Sequence, residues 1–171
     1  MISTVRWAKV EDAPQILHIY NHAALHTTAV WNDRPSTIEE RLAWLRQQAT
    51  QGYPVLVAEA KERVVGFASF GDFRRWDGYR HTVESSVYVA PEFQGHGIGR
   101  KLVDALVREA LGLGKHVMIA GIEASNTASV RLHRSVGFIQ VARLPEVGCK
   151  FGRWLDLVLM QRTLHESGSP L

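Results

Sequence analysis

The chain of 171 residues has a single cysteine, Cys149, and lacks any apolar run of the roughly 18 residues that a membrane-spanning helix requires. One cysteine excludes an internal disulfide framework and is typical of a protein in the reducing cytoplasm. The first residues also lack the apolar centre of a secretory signal peptide. We therefore expect a cytoplasmic protein with one domain over residues 1–164 and a disordered tail over residues 165–171.

Basic charge is present but is not concentrated. The formal net charge is +3, yet Lys and Arg never form a basic run, and the aromatic residues are not interleaved with them as base stacking requires. We expect neither a nucleic acid nor a membrane as a partner. His18, His22 and His26 recur every four residues, but no carboxylate or cysteine joins them at ligand spacing, so we expect no metal.

Hydrophobic periodicity predicts an α/β protein with a mixed sheet and the element order β-α-α-β-β-β-α-β-α-β-β. A capping-box pattern, Ser36 followed by Glu39, predicts that the second helix starts at Ser36. The loop before it contains Trp31 among polar residues and is a candidate site loop. The predicted helices cover residues 12–25, 36–52, 100–111 and 128–136, and the predicted strands cover residues 4–8, 54–60, 64–73, 81–90, 116–123, 138–145 and 151–161.

A glycine-rich loop follows the strand that ends at Ala90 and leads directly into a helix. Three alternating glycines, Gly95, Gly97 and Gly99, allow several backbone N–H groups to converge, and the helix N-terminus adds free N–H groups and a positive dipole end. The spacing fits neither a P-loop, which needs Gly-Lys-Ser/Thr, nor the G-x-G-x-x-G dinucleotide motif. The loop therefore predicts a phosphate cradle of another kind.

At this loop the sequence resembles the GCN5-related N-acetyltransferase superfamily, whose Q-x-x-G-x-G pattern is matched by Gln94, Gly97 and Gly99. A second segment of the superfamily is similar to Asn126 and the short helix that ends in Gly137-Phe138. The resemblance implies the superfamily's fold and acetyl-CoA as cosubstrate. Asn126 also fits a simple helix N-cap. The residues implied to bind the coenzyme are Val87, Tyr88, Val89, Gln94, Gly95, His96, Gly97, Ile98, Gly99, Arg100, Asn126 and Ser129.

Over nearly its whole length the chain resembles the phosphinothricin and methionine sulfoximine acetyltransferases. The segments that carry this resemblance are residues 69–75, 82–89, 129–133 and 150–156. The resemblance implies a homodimer that acetylates the α-amino group of a small amino-acid analogue. The residues implied to line the substrate site are Phe73, Arg74, Arg75, Glu84, Ser85 and Ser86.

Two residues are candidates for acid–base catalysis. An amine is mostly protonated at neutral pH and must lose a proton before it attacks a thioester, which a carboxylate at Glu84 could accept. The alternative for Glu84 is a solvated strand residue. His133 stands where many superfamily members have a tyrosine that acts as general acid, and it is either that acid or a packing residue.

The resemblance does not decide which of two adjacent arginines contacts the substrate. If Arg74 and Arg75 lie on a strand, they point to opposite faces, so at most one of them is expected to pair with a substrate carboxylate unless a bulge or loop intervenes. The alternative is that both are exposed charges at the edge of the sheet. Trp31, Phe73 and Trp76 are candidates for the pocket wall, although core packing is the commoner role of each. Two other functions remain open: acetylation of a protein N-terminus, lysine or polyamine, and a non-catalytic acyl-CoA sensor that would not need Glu84.

Overall fold

The computed structural model describes residues 4–165, so the predicted tail from residue 166 onward lies outside the described residues. The element order is the predicted one and forms a seven-stranded mixed sheet with the strand order β1-β2-β3-β4-β5-β7-β6. The strands are β1 (Thr4–Trp7), β2 (Val55–Ala60), β3 (Arg63–Asp72), β4 (Thr82–Val89), β5 (Val117–Glu123), β6 (Ile139–Lys150) and β7 (Arg153–Thr163). The helices are α1 (Ala13–His26), α2 (Ile38–Gln51), α3 (Ile98–Gly112) and α4 (Thr127–Ser135).

Helices cover both faces of the sheet. On one face α3 and α4 pack against a core that includes Leu102, Leu106 and Met118, all without measurable exposure. On the other face α1 and α2 pack against Phe67, and Ile16 of α1 is fully buried there. None of the helices within residues 4–165 is long and apolar enough to cross a membrane. The single-domain organisation stays a prediction.

Several element boundaries differ by a residue or two from the sequence prediction, and three of the differences have a visible physical reason. Helix α2 is capped by Thr37, whose Oγ1 accepts from the Glu40 backbone N–H, and not by Ser36 with Glu39. Helix α3 begins two residues earlier than predicted, at Ile98, because Gly97 serves as its N-cap. Strand β6 continues to Lys150 instead of stopping near Pro145, since the pairing with β7 shifts register between Leu144 and Gly148 and so accommodates a residue without an N–H.

Candidate active site

Strands β4 and β5 part from each other in the middle of the sheet. They pair in parallel only from Thr82 with Val117 to Ser85 with Ala120, although both strands continue further. The Ala90 N–H donates to Val65 on β3, so by alternation the N–H groups of Val87 and Val89 face the opposite side, toward β5. The parted edges form a cleft in which a ligand can pair with exposed backbone groups.

The glycine loop closes one end of this cleft. Gly95 and Gly97 both have φ of 76°, a left-handed conformation that glycine adopts without strain, and a Cβ added at either would meet nothing within 4 Å. Open space in front of both glycines and the free N–H groups of the first turn of α3 suit an anionic group such as a diphosphate. Gly99 has a different role, because a Cβ there would lie 2.6 Å from Leu132 Cδ1 and push α4 away from α3.

A cavity of about 570 Å³ extends along the cleft from this loop. It lies between the end of β4, the first turn of α3, and the facing sides of α1 and α4. It contains every residue implied to bind the coenzyme except His96, whose ring Nδ1 donates to the Gln94 carbonyl at 2.8 Å. The Tyr88 ring packs on Phe67, and burial raises the pKa of its hydroxyl to about 12.

A second cavity, of about 290 Å³, adjoins the first and shares Val87, Asn126 and Ser129 with it. Glu84, Ser85 and Ser86 form one side of it, and β5 forms the other. Contact of these three residues with the substrate stays a prediction. The loop after α1 covers it with Ala29, Val30 and Trp31, and His133 also lines it. Phe73, Arg74 and Arg75 do not line it.

Glu84 is half-buried on β4, within the short stretch where β4 pairs with β5. Burial raises the pKa of its carboxyl group above the usual range, and the positive charge of Arg74 offsets part of that rise. Gly121 on β5 leaves room for the carboxylate, because a Cβ at this position would lie 3.0 Å from Glu84 Oε1. A carboxylate with a raised pKa beside a cradle for an anion is suited to accept a proton from a bound amine.

Comparison with known proteins agrees with this geometry. A sequence model of the acetyltransferase (GNAT) family matches residues 15–138. The L-methionine sulfoximine/L-methionine sulfone acetyltransferase of Salmonella typhimurium strain LT2 is 56% identical over 167 residues, which covers 98% of both chains. A phosphinothricin N-acetyltransferase of Alcaligenes faecalis is 39% identical over 98% of this chain and 86% of that protein.

A solved acetyltransferase structure has the same fold as this chain. The structure of an acetyltransferase from Salmonella typhimurium with its cofactor acetyl-CoA superimposes with a TM-score of 0.96, at 55% identity, over 98% of this chain and 97% of the other. The chain belongs to the GNAT acetyltransferase family. The predicted fold and the predicted enzyme class, an acetyl-CoA-dependent N-acetyltransferase, are therefore confirmed.

In this acetyltransferase the two arginines lie beyond the end of β3, which stops at Asp72, so the argument that strand neighbours point to opposite faces does not apply to them. The Arg74 guanidinium lies over the Phe73 ring at 5.0 Å, and that of Arg75 over Trp76 at 4.9 Å. Both arginines are exposed. Of the two arginines, Arg74 is the one whose charge lowers the pKa of Glu84, which favours it as the arginine on the substrate side.

His133 is buried and held in one orientation. Its Nδ1 lies 2.8 Å from the Ser129 carbonyl oxygen, and because a carbonyl only accepts, the proton resides on Nδ1. Its ring also meets the Phe138 ring edge-on, and burial lowers the pKa of the imidazole, which is therefore neutral near pH 7. The remaining nitrogen, Nε2, carries a lone pair and no proton. A role for His133 as general acid stays a prediction, and it would first require protonation of Nε2.

Asn126 caps α4, the alternative role that the sequence left open. Its Oδ1 accepts from the Ser129 N–H at 3.1 Å, and the same residue lines both cavities. Its contact with the coenzyme stays a prediction.

Several residues of the site were not predicted from the sequence. His22 and Arg131 line the larger cavity from α1 and α4. Glu123, at the end of β5, lines the smaller one, and its carboxylate accepts hydrogen bonds from Thr28 and Ser125, which lower its pKa. A charged residue that ends an otherwise apolar strand was the one available signal for Glu123. Trp31 is at the cavity wall as proposed, whereas Trp76 lines neither of the two cavities.

Proposed function

We propose that this enzyme transfers the acetyl group of acetyl-CoA to the α-amino group of a small amino-acid analogue of the methionine sulfoximine, methionine sulfone or phosphinothricin type. The activities named for the relatives from Salmonella typhimurium and Alcaligenes faecalis support this substrate class. The observation that carries the proposal is the position of Glu84, in a cavity that adjoins the glycine cradle.

Acetyl-CoA supplies an activated thioester carbonyl, and the protein supplies a place to hold it. The N–H groups of the glycine loop and of the first turn of α3 would hold the pyrophosphate. The N–H groups of Val87 and Val89, which face the parted strands, would pair with the pantetheine amide and polarise the thioester oxygen. The larger cavity, about 570 Å³, lies in the range typical of cofactor sites.

Glu84 would act as the general base. The amine arrives protonated, and the Glu84 carboxylate accepts one proton, directly or through a water molecule. The freed amine then attacks the thioester carbon without a covalent enzyme intermediate. The C–S bond breaks, coenzyme A leaves as the thiolate, and the surplus proton of the attacking nitrogen passes to that thiolate or to water. Because burial raises the pKa of Glu84, its carboxylate is a stronger base than an exposed glutamate.

The size and charge of the smaller cavity support an amino acid over a polyamine. Its volume of about 290 Å³ suits a molecule of amino-acid size. Glu84 and Glu123 both line it, but the Glu123 carboxylate is already occupied by hydrogen bonds from Thr28 and Ser125. Arg74, near enough to Glu84 to affect its pKa, is available for the substrate's carboxylate.

Thiol release from acetyl-CoA tests the proposal directly. The amines are methionine sulfoximine, methionine sulfone, phosphinothricin, spermidine and a lysine peptide, and we expect turnover with the amino-acid analogues. Glu84→Gln should lower kcat by about 10²–10⁴-fold and leave the KM for acetyl-CoA nearly unchanged, because it removes the base and keeps the cradle.

Glu62→Gln, in the exposed turn between β2 and β3, is the matched control and should behave as wild type. Turnover only with spermidine or the peptide would refute the substrate class, and full activity in Glu84→Gln would refute the base. Binding of acetyl-CoA without turnover of any amine would favour the acyl-CoA sensor.

We also propose that the enzyme is a homodimer in the cytoplasm. Strand β6 is an edge of the sheet, and the hairpin of β6 and β7 exposes large apolar side chains, which a second copy of the chain would cover. These side chains are Ile139, Val141, Val147, Phe151 and Trp154. The single cysteine, exposed and free, supports the cytoplasmic location.

A further inference from the structure

Lys150, the last residue of β6, has a buried ammonium group with an unusual set of partners. Only 2% of the residue is exposed. Its Nζ donates to the carbonyl oxygens of Ala24 at 2.5 Å and Thr27 at 2.7 Å, and also to that of Val30. A lysine ammonium has three N–H donors, so these three carbonyls use its full capacity.

All three carbonyls belong to the end of α1 and the loop after it. The last carbonyls of a helix have no partner within the helix and carry the negative end of its dipole, so a cation is favoured there. The loop after α1 forms bends without regular hydrogen bonding of its own. Its position therefore depends on contacts with other elements, and Lys150 supplies the most buried of them.

The same loop is the wall of the smaller cavity. We call residues 27–31 the wall segment; Ala29, Val30 and Trp31 of this segment face the cavity that contains Glu84. The Trp31 indole N–H donates to the Thr28 carbonyl at 2.9 Å, and the Thr28 hydroxyl donates to Glu123 at 3.0 Å. The wall segment is thus tied to β5 at one point and to β6 by Lys150.

Gly148, also on β6, provides a second contact with the wall segment. The Trp31 ring lies directly on its backbone, since a Cβ at Gly148 would be 2.2 Å from Trp31 Cζ3. The φ of Gly148 is not among the positive ones, so the missing side chain makes room for the indole and does not relieve backbone strain.

We propose that Lys150 is a positioning residue for the amine substrate: together with Gly148 it fixes the wall segment over the smaller cavity. It touches none of the reacting groups and acts through Val30 and Trp31. Thr27 and Ala29 line the larger cavity, whereas Val30 and Trp31 line only the smaller one. Because the glycine cradle is built by β4 and α3, and the Lys150 and Gly148 contacts hold Val30 and Trp31, the effect falls on the amine more than on acetyl-CoA. This inference rests on the proposed assignment of the smaller cavity to the amine.

Lys150→Met removes the ammonium and keeps an unbranched side chain of similar size. The KM for the amine should rise by about tenfold or more, while the KM for acetyl-CoA changes by less than about threefold, as expected when several hydrogen bonds to the wall segment are lost. Lys61→Met, in the exposed turn between β2 and β3, is the control and should match wild type. Equal changes in both KM values, or no change in either, would overturn the proposal.

A chemical rescue separates positioning from folding. Cys149 is the only cysteine, so the double variant Cys149→Ser, Lys150→Cys carries one thiol, which can be alkylated in denaturant before refolding. Aminoethylation restores an ammonium at nearly the lysine length and should restore the KM for the amine, whereas carbamidomethylation, which is neutral, should not. Identical kinetics after both treatments would refute the role of the ammonium.

Gly148→Ala tests the same wall segment with Lys150 intact. Its Cβ must displace the Trp31 ring, so the KM for the amine should rise and that for acetyl-CoA should change little. An unchanged KM for the amine would contradict the proposal. If wild type itself acetylates no amine in the panel, the proposed function fails; if wild type is active and the Lys150 and Gly148 variants bind the amine normally, only the positioning role fails.

Discussion

The burial of Glu84 affects both its proposed role as a base and the stability of the fold. Burial raises the pKa of its carboxyl group in the folded protein, so the folded state holds this proton more tightly than the unfolded state does. The pKa of a glutamate in the unfolded chain is about 4.3. As pH rises from this value through the raised pKa of the folded protein, the free energy of unfolding therefore decreases. Above the folded pKa the decrease is complete and persists. The charged form that the proposed base role of Glu84 requires is therefore the form that destabilises the fold.

We expect Glu84→Gln, a neutral residue of the same shape, to melt at a higher temperature than wild type at pH 8. The difference should vanish at about pH 3, where Glu84 is protonated in both states and resembles glutamine. Thermal unfolding of both proteins at the two pH values measures this. Glu62→Gln serves as the control for the substitution itself. A Glu84→Gln protein that is less stable at pH 8 would mean that the carboxylate has a stabilising partner.

At the scale of single residues, the sequence identified groups that are close along the chain and missed those that meet only in the fold. Glu84, Ser85 and Ser86 are consecutive on β4, and the structure brings all three to the smaller cavity. Lys150 meets Ala24 across 126 residues and Glu123 meets Thr28 across 95, and no local pattern signals such pairs.

At the scale of elements, the N-terminus of α3 depends on one backbone conformation. Gly97 caps this helix with φ of 76°, where an L-amino acid costs about 1–2 kcal/mol. Gly97→Ala should lower the melting temperature accordingly and raise the KM for acetyl-CoA by about tenfold, because distortion of the cap turns N–H groups away from the pyrophosphate. Melting curves and initial rates at varied acetyl-CoA check both effects.

Gly112→Ala is the control at the other end of the same helix. Gly112 has no positive φ and open space around its Cα, so alanine should stabilise the helix by up to about 1 kcal/mol without changing either KM. If Gly97→Ala binds acetyl-CoA as well as Gly112→Ala does, the cap of α3 is not part of the cradle.

Element order could be predicted from the sequence, but the start of α2 and the end of β6 could not, for reasons visible in the structure. Ser36 and Thr37 are both good caps, and each has a glutamate three residues later. Thr37 caps α2 because Asn21 of α1 already binds the backbone N–H and carbonyl of Ser36. Similarly, Pro145 predicts the end of a strand, whereas the register shift between β6 and β7 accommodates it.

At the scale of the whole molecule, the order of strands in the sheet followed from no feature of the sequence. The last strand, β7, inserts between β5 and β6, so β6 becomes the edge. An edge strand has unpaired backbone groups and invites pairing with another chain. That placement, invisible to local periodicity, turns the apolar residues of the hairpin into one exposed surface.

We expect sedimentation equilibrium to give about twice the chain mass of 19.2 kDa for wild type, and Trp154→Glu to shift the protein toward the monomer. Trp154 is 67% exposed on β7, and a buried, unpaired carboxylate in a dimer interface opposes association. Val10→Glu, at a residue 65% exposed in the segment between β1 and α1, changes charge equally away from the hairpin and should remain dimeric.

Thermal unfolding provides an independent measurement of the equilibrium between monomer and dimer. A dimer that dissociates on unfolding melts at a higher temperature when the protein is more concentrated, whereas a monomer does not. Wild type and Val10→Glu should show this dependence and Trp154→Glu should lose most of it. A wild-type protein that sediments as a monomer, with a melting temperature independent of concentration, would refute the dimer and leave the exposed hairpin to a different partner.

Because Lys150 lies at the end of the same hairpin, loss of the dimer would also be expected to raise the KM for the amine more than that for acetyl-CoA.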